Sequence, residues 1–311
     1  MKLSIIIPVY NNADSLVRML ESFIHQVKEN CEIILVDDDS SDGSKSLISN
    51  YIKLYPVIIA YGKKHRGRGS ALNVGLEKAR GEYVVFLNPE NYVSSEFISV
   101  ILNRLKDSSV DLLKYQRQYV YRDRVRYVDD HVEFKHDGGE AFINLKALGI
   151  SFELLGLYVY RRAYLKSLQV PFLDDTHCEN FGIVGYYLVQ AKQVDSLREG
   201  LYFYVVDKKS KKEDYARKKR ELQDMIAHFD YLYPIASKNI ENHLALEAYL
   251  SYLTGGILKN LSFLKKNDKK EIIEELKKRK ILKIFRKNSS FKEYRKMVLH
   301  IYFDIYLKLV R

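Results

Sequence analysis

A chain of 311 residues that is 47% hydrophobic, with 25 Tyr and 14 Phe, can bury a sizeable core and is too rich in aromatic residues to be disordered. Its two cysteines, Cys31 and Cys178, are too few for a disulfide framework and lack metal-ligand spacing, which points to a reducing compartment. The formal charge of +11 sits in one place, because residues 257–311 carry 17 Lys and Arg against 6 Asp and Glu while the rest of the chain balances; no base-reading motif accompanies the charge, so nucleic acid is not expected as a partner.

The N-terminal run MKLSIIIPVYNN holds one basic residue and meets a proline too early for a signal peptide. No stretch approaches the roughly 18 uncharged apolar residues of a membrane span. The expectation is a cytoplasmic protein, either free or held on the inner face of a membrane by its surface.

Leu3 to Val9 reads as a strand ending at Pro8-Val9-Tyr10, followed by Asn11-Asn12-Ala13-Asp14, a polar stretch suited to capping a helix. The helical period then runs over Ala13 to Gln26 through Leu16, Met19, Leu20 and Phe23. Cys31 to Val36 is a second strand, ending in the acidic run Asp37-Asp38-Asp39-Ser40-Ser41-Asp42. A helix over Lys45–Leu54, a strand over Val57–Tyr61, a helix over Gly69–Ala79 and a strand over Tyr83–Leu87 continue the alternation. That order implies an α/β fold with a mostly parallel sheet and right-handed crossovers. Ligands bind beyond the carboxyl ends of such strands, so Tyr10-Asn11, Asp37 to Asp39 and Asn88-Pro89-Glu90-Asn91 are expected to converge on one cleft. Asp and Asn at strand ends also serve turns and caps, which is the ordinary alternative for any one of them.

Further on, Asp111 to Asp137 alternates Tyr, Arg and Val and suggests a hairpin or extended flap beside an acceptor site. A short helix over Gly139–Leu148, a strand over Leu157–Arg161 leading into Arg162–Leu168, a helix over Phe181–Ala191 and strands at Val194–Leu197 and Leu201–Val206 complete this part. From Lys208 the pattern turns helical, over Lys211–Tyr231, Asn239–Leu264, Lys269–Leu282 and Phe291–Leu309. The last two are basic and amphipathic; an anionic membrane surface, a homo-oligomer contact and packing on the domain all fit such a pattern.

The runs LSIIIPVYNNADSLVRMLESF, EIILVDDDSSDGS and GSALNVGLEKARGEYVVFLNPENYV resemble the nucleotide-sugar-binding half of family 2 glycosyltransferases, which have the GT-A fold. The resemblance covers about residues 1–206. It implies a domain over 1–207, divided into a nucleotide-binding half (1–110) and an acceptor half (111–207), followed by a helical basic module over 208–311. It also implies a nucleoside diphosphate sugar donor with uracil as the expected base, a divalent metal (manganese or magnesium) and inversion at the anomeric carbon. Carried over residue by residue, Pro8, Val9 and Tyr10 match the loop against the base, and Asp38 matches the acceptor for the ring N–H of uracil. Arg66 and Arg68 match a loop near the diphosphate, Asn88 lies beside it, and Glu90 stands at the metal position.

Two departures follow from the same comparison. Where the family writes FLDSDD, this chain has Phe86-Leu87-Asn88-Pro89-Glu90-Asn91, which leaves one carboxylate and predicts weaker metal binding. Where the family has a Glu-Asp pair whose Asp is the general base, this chain has Glu179-Asn180. An amide does not take a proton at neutral pH, so Glu179 becomes the leading candidate base, with Asp174, Asp175 and His177 nearby. The functional expectation is transfer of a sugar to a hydroxyl of a surface polysaccharide, a teichoic-type polymer or a glycoprotein. The alternative is a catalytically weak or inactive relative that binds nucleotide and supports another transferase.

Overall fold

The computed structural model describes residues 1–27, 29–106, 108–128, 132, 137–176, 182–206, 211–238 and 241–279. The chain starts with strand β1 (Leu3–Val9), helix α1 (Ala13–Glu21), β2 (Cys31–Asp37), α2 (Ser44–Leu54), β3 (Ile58–Gly62), α3 (Gly67–Lys78) and β4 (Tyr83–Phe86). Every residue of β1, β2 and β4 is buried, as expected of β-branched and aromatic runs covered on both faces by helices. Leu3, Ile5, Ile6, Ile7 and Val9 of β1 are at most 1% exposed, and each such side chain contributes about 1.5–3 kcal/mol of apolar burial.

Next come β5 (Tyr92–Val93), α4 (Phe97–Leu105), β6 (Leu112–Lys114), β7 (Arg117–Val120), β8 (Val125–Tyr127) and α5 (Gly138–Ala147). They are followed by β9 (Tyr158–Arg161), α6 (Arg162–Leu168), α7 (Val184–Gln190), β10 (Val194–Ser196) and β11 (Tyr202–Val205). Three helices close the described chain: α8 (Lys211–Ala236), α9 (His243–Ser262) and α10 (Lys266–Lys277). The helix α4 has no counterpart in the sequence reading. The expected flap divides: β6 joins the main sheet, and only β7 and β8 form the hairpin.

The main sheet has seven strands in the order β10-β6-β9-β4-β1-β2-β3. Its β4-β1-β2-β3 part is parallel throughout, whereas β9 runs antiparallel to β4 and β6. Four strands, β5-β11-β7-β8, make a second small sheet. Because the chain returns from β3 to place β4 on the far side of β1, the strand order switches at β1. The crevice for a ligand is expected at the carboxyl ends there.

The opposite end of the sheet is closed by a buried carboxylate. Ser4 and Glu32 are register partners on β1 and β2. Glu32, 1% exposed, accepts from Ser4 Oγ at 2.6 Å, Arg80 N at 2.7 Å and Arg80 Nε at 2.9 Å. Ser4 Oγ in turn accepts from Gly81 N at 2.8 Å. Burial by itself raises the Glu32 pKa, but the Ser4, Arg80 backbone and Arg80 side-chain donors hold it below its ordinary value.

The C-terminal helices pack on the second half of the domain: α9 lies against α8, α5 and α7. This packing is close at Gly182 and at Gly185 of α7, since a Cβ would come within 2.1 Å of the His228 ring at the first and 2.3 Å of the Tyr249 ring at the second. The helix α8 continues through Pro234 to Ala236, past the expected end at Tyr231. The expected helix over Phe291–Leu309 and the end of the one over Lys269–Leu282 lie outside the described residues. Among the described residues, no helix is long and apolar enough to cross a membrane.

Candidate functional site

A cleft of about 230 Å³ opens at the carboxyl ends of β1, β2, β3 and β4. Pro8, Val9, Tyr10 and Asn12 line it from β1 and its loop, Asp38 from β2, and Asn88, Pro89 and Glu90 from β4. His65, Gly67, Arg68 and Ala71 contribute the wall that starts α3. The switch in strand order thus brings together side chains that are up to 82 residues apart in the chain, from Pro8 to Glu90.

The acidic run after β2 resolves into one cleft-facing carboxylate and three that build the turn. Asp37 Oδ1 accepts from Ser40 N at 3.2 Å. Asp39, at φ 65°, pairs with Lys45 at 2.9 Å, and Asp42 accepts from Ala13 N at 3.0 Å and Ser44 N at 2.9 Å. Asp38 is only 2% exposed. Its Oδ1 meets Lys63 Nζ and accepts from Arg66 N at 3.1 Å. Its Oδ2 lies 2.8 Å from His65 Nδ1, yet has no aligned hydrogen-bond donor. A buried carboxylate oxygen without a donor is costly unless a ligand supplies one.

The His65 ring beside this oxygen stacks on Tyr10, with ring centroids 4.1 Å apart and planes at 22°. The loop that carries Tyr10 is held by Asn12, whose Oδ1 accepts from Tyr10 N at 3.0 Å. Asn12 therefore secures the loop and makes no side-chain cap on α1, which corrects the capping expectation.

The α3 wall is shaped by close approach of the backbone. Gly67 has φ +80°, and a Cβ on Gly69 would lie 2.0 Å from Leu173 O. Both positions need glycine so that the 172–175 segment can rest on the start of α3. The two arginines separate here. Arg68 lines the cleft, whereas the Arg66 guanidinium lies 2.6 Å from Asp174 and is not among the lining residues. Asp175, at φ 55°, donates its backbone N–H to Arg66 O at 2.9 Å.

At the end of β4, Glu90 is exposed at the lip of the cleft and Asn88 is half-buried. Asn88 Oδ1 accepts from Glu90 N at 3.0 Å, and Glu90 O accepts from Arg18 Nη2 at 2.6 Å. Asn91, expected to project into the cleft, is instead 3% exposed and spends its amide on the fold. Its Nδ2 donates to Tyr202 Oη at 2.7 Å, and its Oδ1 accepts from Val205 N at 2.9 Å. Burial pushes the Tyr202 hydroxyl up to about 12, with the Arg68 charge and the Asn91 amide opposing it.

Among the described residues, no three His, Cys, Asp or Glu side chains gather as a metal-binding group. One accessible carboxylate with a neighbouring amide oxygen is not a closed protein cage. It does fit a hard divalent cation that takes most of its ligands from phosphate and water.

Glu179 and Asn180, the candidate catalytic pair, lie outside the described residues, as does His177. Lys63, His65 and Arg18 were missed by sequence reasoning. A signal for the first two was present: Lys63-Lys64-His65-Arg66 directly follows a strand whose carboxyl end faces the same edge as those of β1 and β2.

Comparison with known proteins bears on this arrangement. The Cholesterol galactosyltransferase of Borreliella burgdorferi is 34% identical over 120 residues, 39% of this chain and 33% of that protein. The Poly(ribitol-phosphate) beta-glucosyltransferase of Bacillus spizizenii is 37% identical over 116 residues, 36% of this chain and 18% of that protein. The matched stretch thus spans a third or less of the length of these relatives. Among solved structures, S. aureus TarS 1-349 in complex with UDP aligns with a TM-score of 0.70 at 17% identity, over 100% of this chain and 88% of that one, a likeness of fold. The model for Glycosyl transferase family 2 matches residues 4–169, from within β1 to the end of α6 and more than half of the chain, and the protein therefore belongs to that family, with the GT-A type of α/β fold.

Proposed function

We propose that this protein transfers a sugar from a UDP-sugar donor to a hydroxyl of a surface polysaccharide or teichoic-type polymer, with inversion at the anomeric carbon. The observation that carries the reading is the buried Asp38 carboxylate in a cleft walled by Tyr10 and His65, its Oδ2 left by the fold without an aligned hydrogen-bond donor. A carboxylate only accepts, so it suits a base that presents a ring N–H, as uracil does. Family membership supports glycosyl transfer; of the two relatives' names, poly(ribitol-phosphate) supports a polymer acceptor, while the other names cholesterol, a lipid.

In this mechanism Asp38 accepts the N–H of the base, Tyr10 covers its face, and Arg68 lies beside the diphosphate with its planar donor fork. Glu90, with Asn88 next to it, would hold a divalent cation, which when bound would supply positive charge against that of the departing diphosphate. Glu179 takes the proton of the acceptor hydroxyl while its oxygen attacks the anomeric carbon from the side opposite the leaving group. The bond from that carbon to the diphosphate breaks, and its electron pair leaves with UDP.

Calorimetry of UDP and CDP against the wild type and Asp38→Asn tests the base assignment. The wild type is expected to prefer UDP. The variant is expected to bind UDP about tenfold more weakly, the scale of a charge-assisted hydrogen bond becoming a neutral one, and to lose the preference, because an amide can donate to the ring nitrogen of cytosine. An unchanged UDP to CDP ratio contradicts the assignment. In the same cell, manganese is expected to strengthen UDP binding in the wild type and to have little effect in Glu90→Ala; an equal gain in both removes Glu90 from the cation site.

A further inference from the structure

The second sheet carries a row of aromatic rings outside the cleft lining, of which Tyr204 also packs on the core. Register places Tyr204 of β11 beside Tyr119 of β7, and Tyr119 opposite Arg126 of β8. Tyr119 and Tyr204 meet edge to face with centroids 5.8 Å apart, and Tyr121 lies 6.5 Å beyond Tyr119. These three rings are half-buried, so each keeps part of its surface in solvent. Guanidinium groups accompany them: Arg117 stands 4.9 Å from the Tyr119 ring and Arg124 5.7 Å from the Tyr121 ring. Arg117 is buried and donates to Ser151 Oγ at 3.0 Å, so it supports the row from beneath. Arg122, Arg124 and Arg126 at the tip are exposed, and none of them forms an ion pair among the described residues.

The row begins on the strand that Asn91 ties to the end of β4. Burial first, and then the charges of Glu90 and Tyr119, raise the Tyr204 pKa, with Arg117 and Arg217 opposing. Asn91, one residue from Glu90, is bonded to Tyr202 and Val205 on either side of Tyr204. A line of tyrosine faces that leaves the reaction site and ends in three uncompensated guanidinium groups matches a chain of repeating apolar C–H faces and anionic links. Aromatic faces take sugar or polyol carbons, and guanidinium forks take phosphate oxygens.

We propose that the row from Tyr204 through Tyr119 and Tyr121 to the Arg122–Arg126 tip is a docking track for a phosphodiester-linked glycan or polyol chain, which it guides to the donor cleft. The inference rests on the transferase reading of that cleft and narrows its acceptor to a polyanion. Charge complementarity selects this occupant: the tip segment 121–127 holds three Arg and one Asp.

The test uses the full chain and two separate readouts. Calorimetry with UDP reports the donor cleft, and fluorescence anisotropy of a labelled ribitol-phosphate oligomer reports the track. The oligomer is expected to bind with an affinity that falls as salt rises, and neutral dextran of matched length is expected not to compete. Replacing Arg122, Arg124 and Arg126 together with Ala is expected to weaken oligomer binding at least about tenfold, given three lost charge-assisted contacts, while UDP affinity stays as in the wild type. Tyr121→Ala is expected to weaken it too, and Tyr121→Phe to retain it, because the ring face and not the hydroxyl makes the contact.

Wild-type protein that binds UDP but not the oligomer overturns the track, as does a triple variant that binds the oligomer normally. Oligouridylate binding as tightly as the ribitol-phosphate oligomer also overturns it, since the surface would then take any polyphosphate backbone. Failure of the wild type to bind UDP, with oligomer binding intact and dependent on the arginines, counts against the donor cleft and leaves the track standing.

Discussion

Replacing Glu179 with Gln is expected to lower kcat by about 10²- to 10⁴-fold, the range supplied by a positioned general base, with little change in UDP affinity. In the proposed mechanism the base and diphosphate contacts belong to Asp38, Tyr10 and Arg68 of the cleft lining, so the proton acceptor can be lost while donor binding persists. Single-turnover transfer to acceptor and calorimetry with UDP separate the two quantities. Asn180→Asp provides the converse test, because it restores a carboxylate at the position where the family carries its base, and it should not lower turnover. Wild-type rates in Glu179→Gln would remove the residue from the mechanism. If donor hydrolysis and transfer are both absent from the wild type despite UDP binding, the protein is a nucleotide-binding partner of another transferase.

Replacing Glu32 with Ala is expected to destabilise the fold by about 3 kcal/mol, since it strands the buried Ser4 hydroxyl and the Arg80 backbone N–H, at about 1–3 kcal/mol each. The Arg80 side chain is 63% exposed and can return to water, so its ion pair adds little to that cost. Glu32→Gln keeps an acceptor oxygen and should cost less.

The pH dependence follows from the direction of the shift. The folded state holds Glu32 below its ordinary value of 4.5. Its contribution is fully present above that value and is lost as pH falls through the lower, folded-state pKa. Chemical denaturation at a series of pH values from neutral into the acid range should show a steeper loss of stability in the wild type than in Glu32→Gln. Parallel curves would mean that another group carries the acid sensitivity. Glu32 lies at the end of the sheet away from the cleft, so UDP affinity measured under native conditions should be the same in both variants.

The alternation from β1 to β4 could be read from the chain because each of its elements states its own environment locally. Apolar runs such as Ile5-Ile6-Ile7 and Tyr83-Val84-Val85-Phe86 have no polar face to offer solvent, and Leu16, Met19 and Leu20 recur at the helical period. Asp38, Tyr10 and Glu90 could be named in advance for a related reason: parallel strands deliver their carboxyl-terminal loops to one edge whatever the details of packing.

Other features depended on pairings between distant residues, which no local pattern records. The short strand β5 carries too few residues to show a period, and it becomes a strand only because Tyr92 pairs with Phe203 of β11 across the second sheet. Asn91 looks on paper like a third cleft residue; only Tyr202 and Val205, more than a hundred positions away, show that its amide is consumed by the fold. Arg66 and Arg68 are two residues apart and chemically alike, and it took the approach of the 172–175 segment to draw one toward Asp174 and leave the other in the cleft. Residue type and spacing were enough to determine the β1 to β4 alternation and which sheet edge bears the cleft. Which polar groups remain free to meet a ligand there was decided by tertiary contacts, because a hydrogen bond made within the fold is no longer available to a substrate.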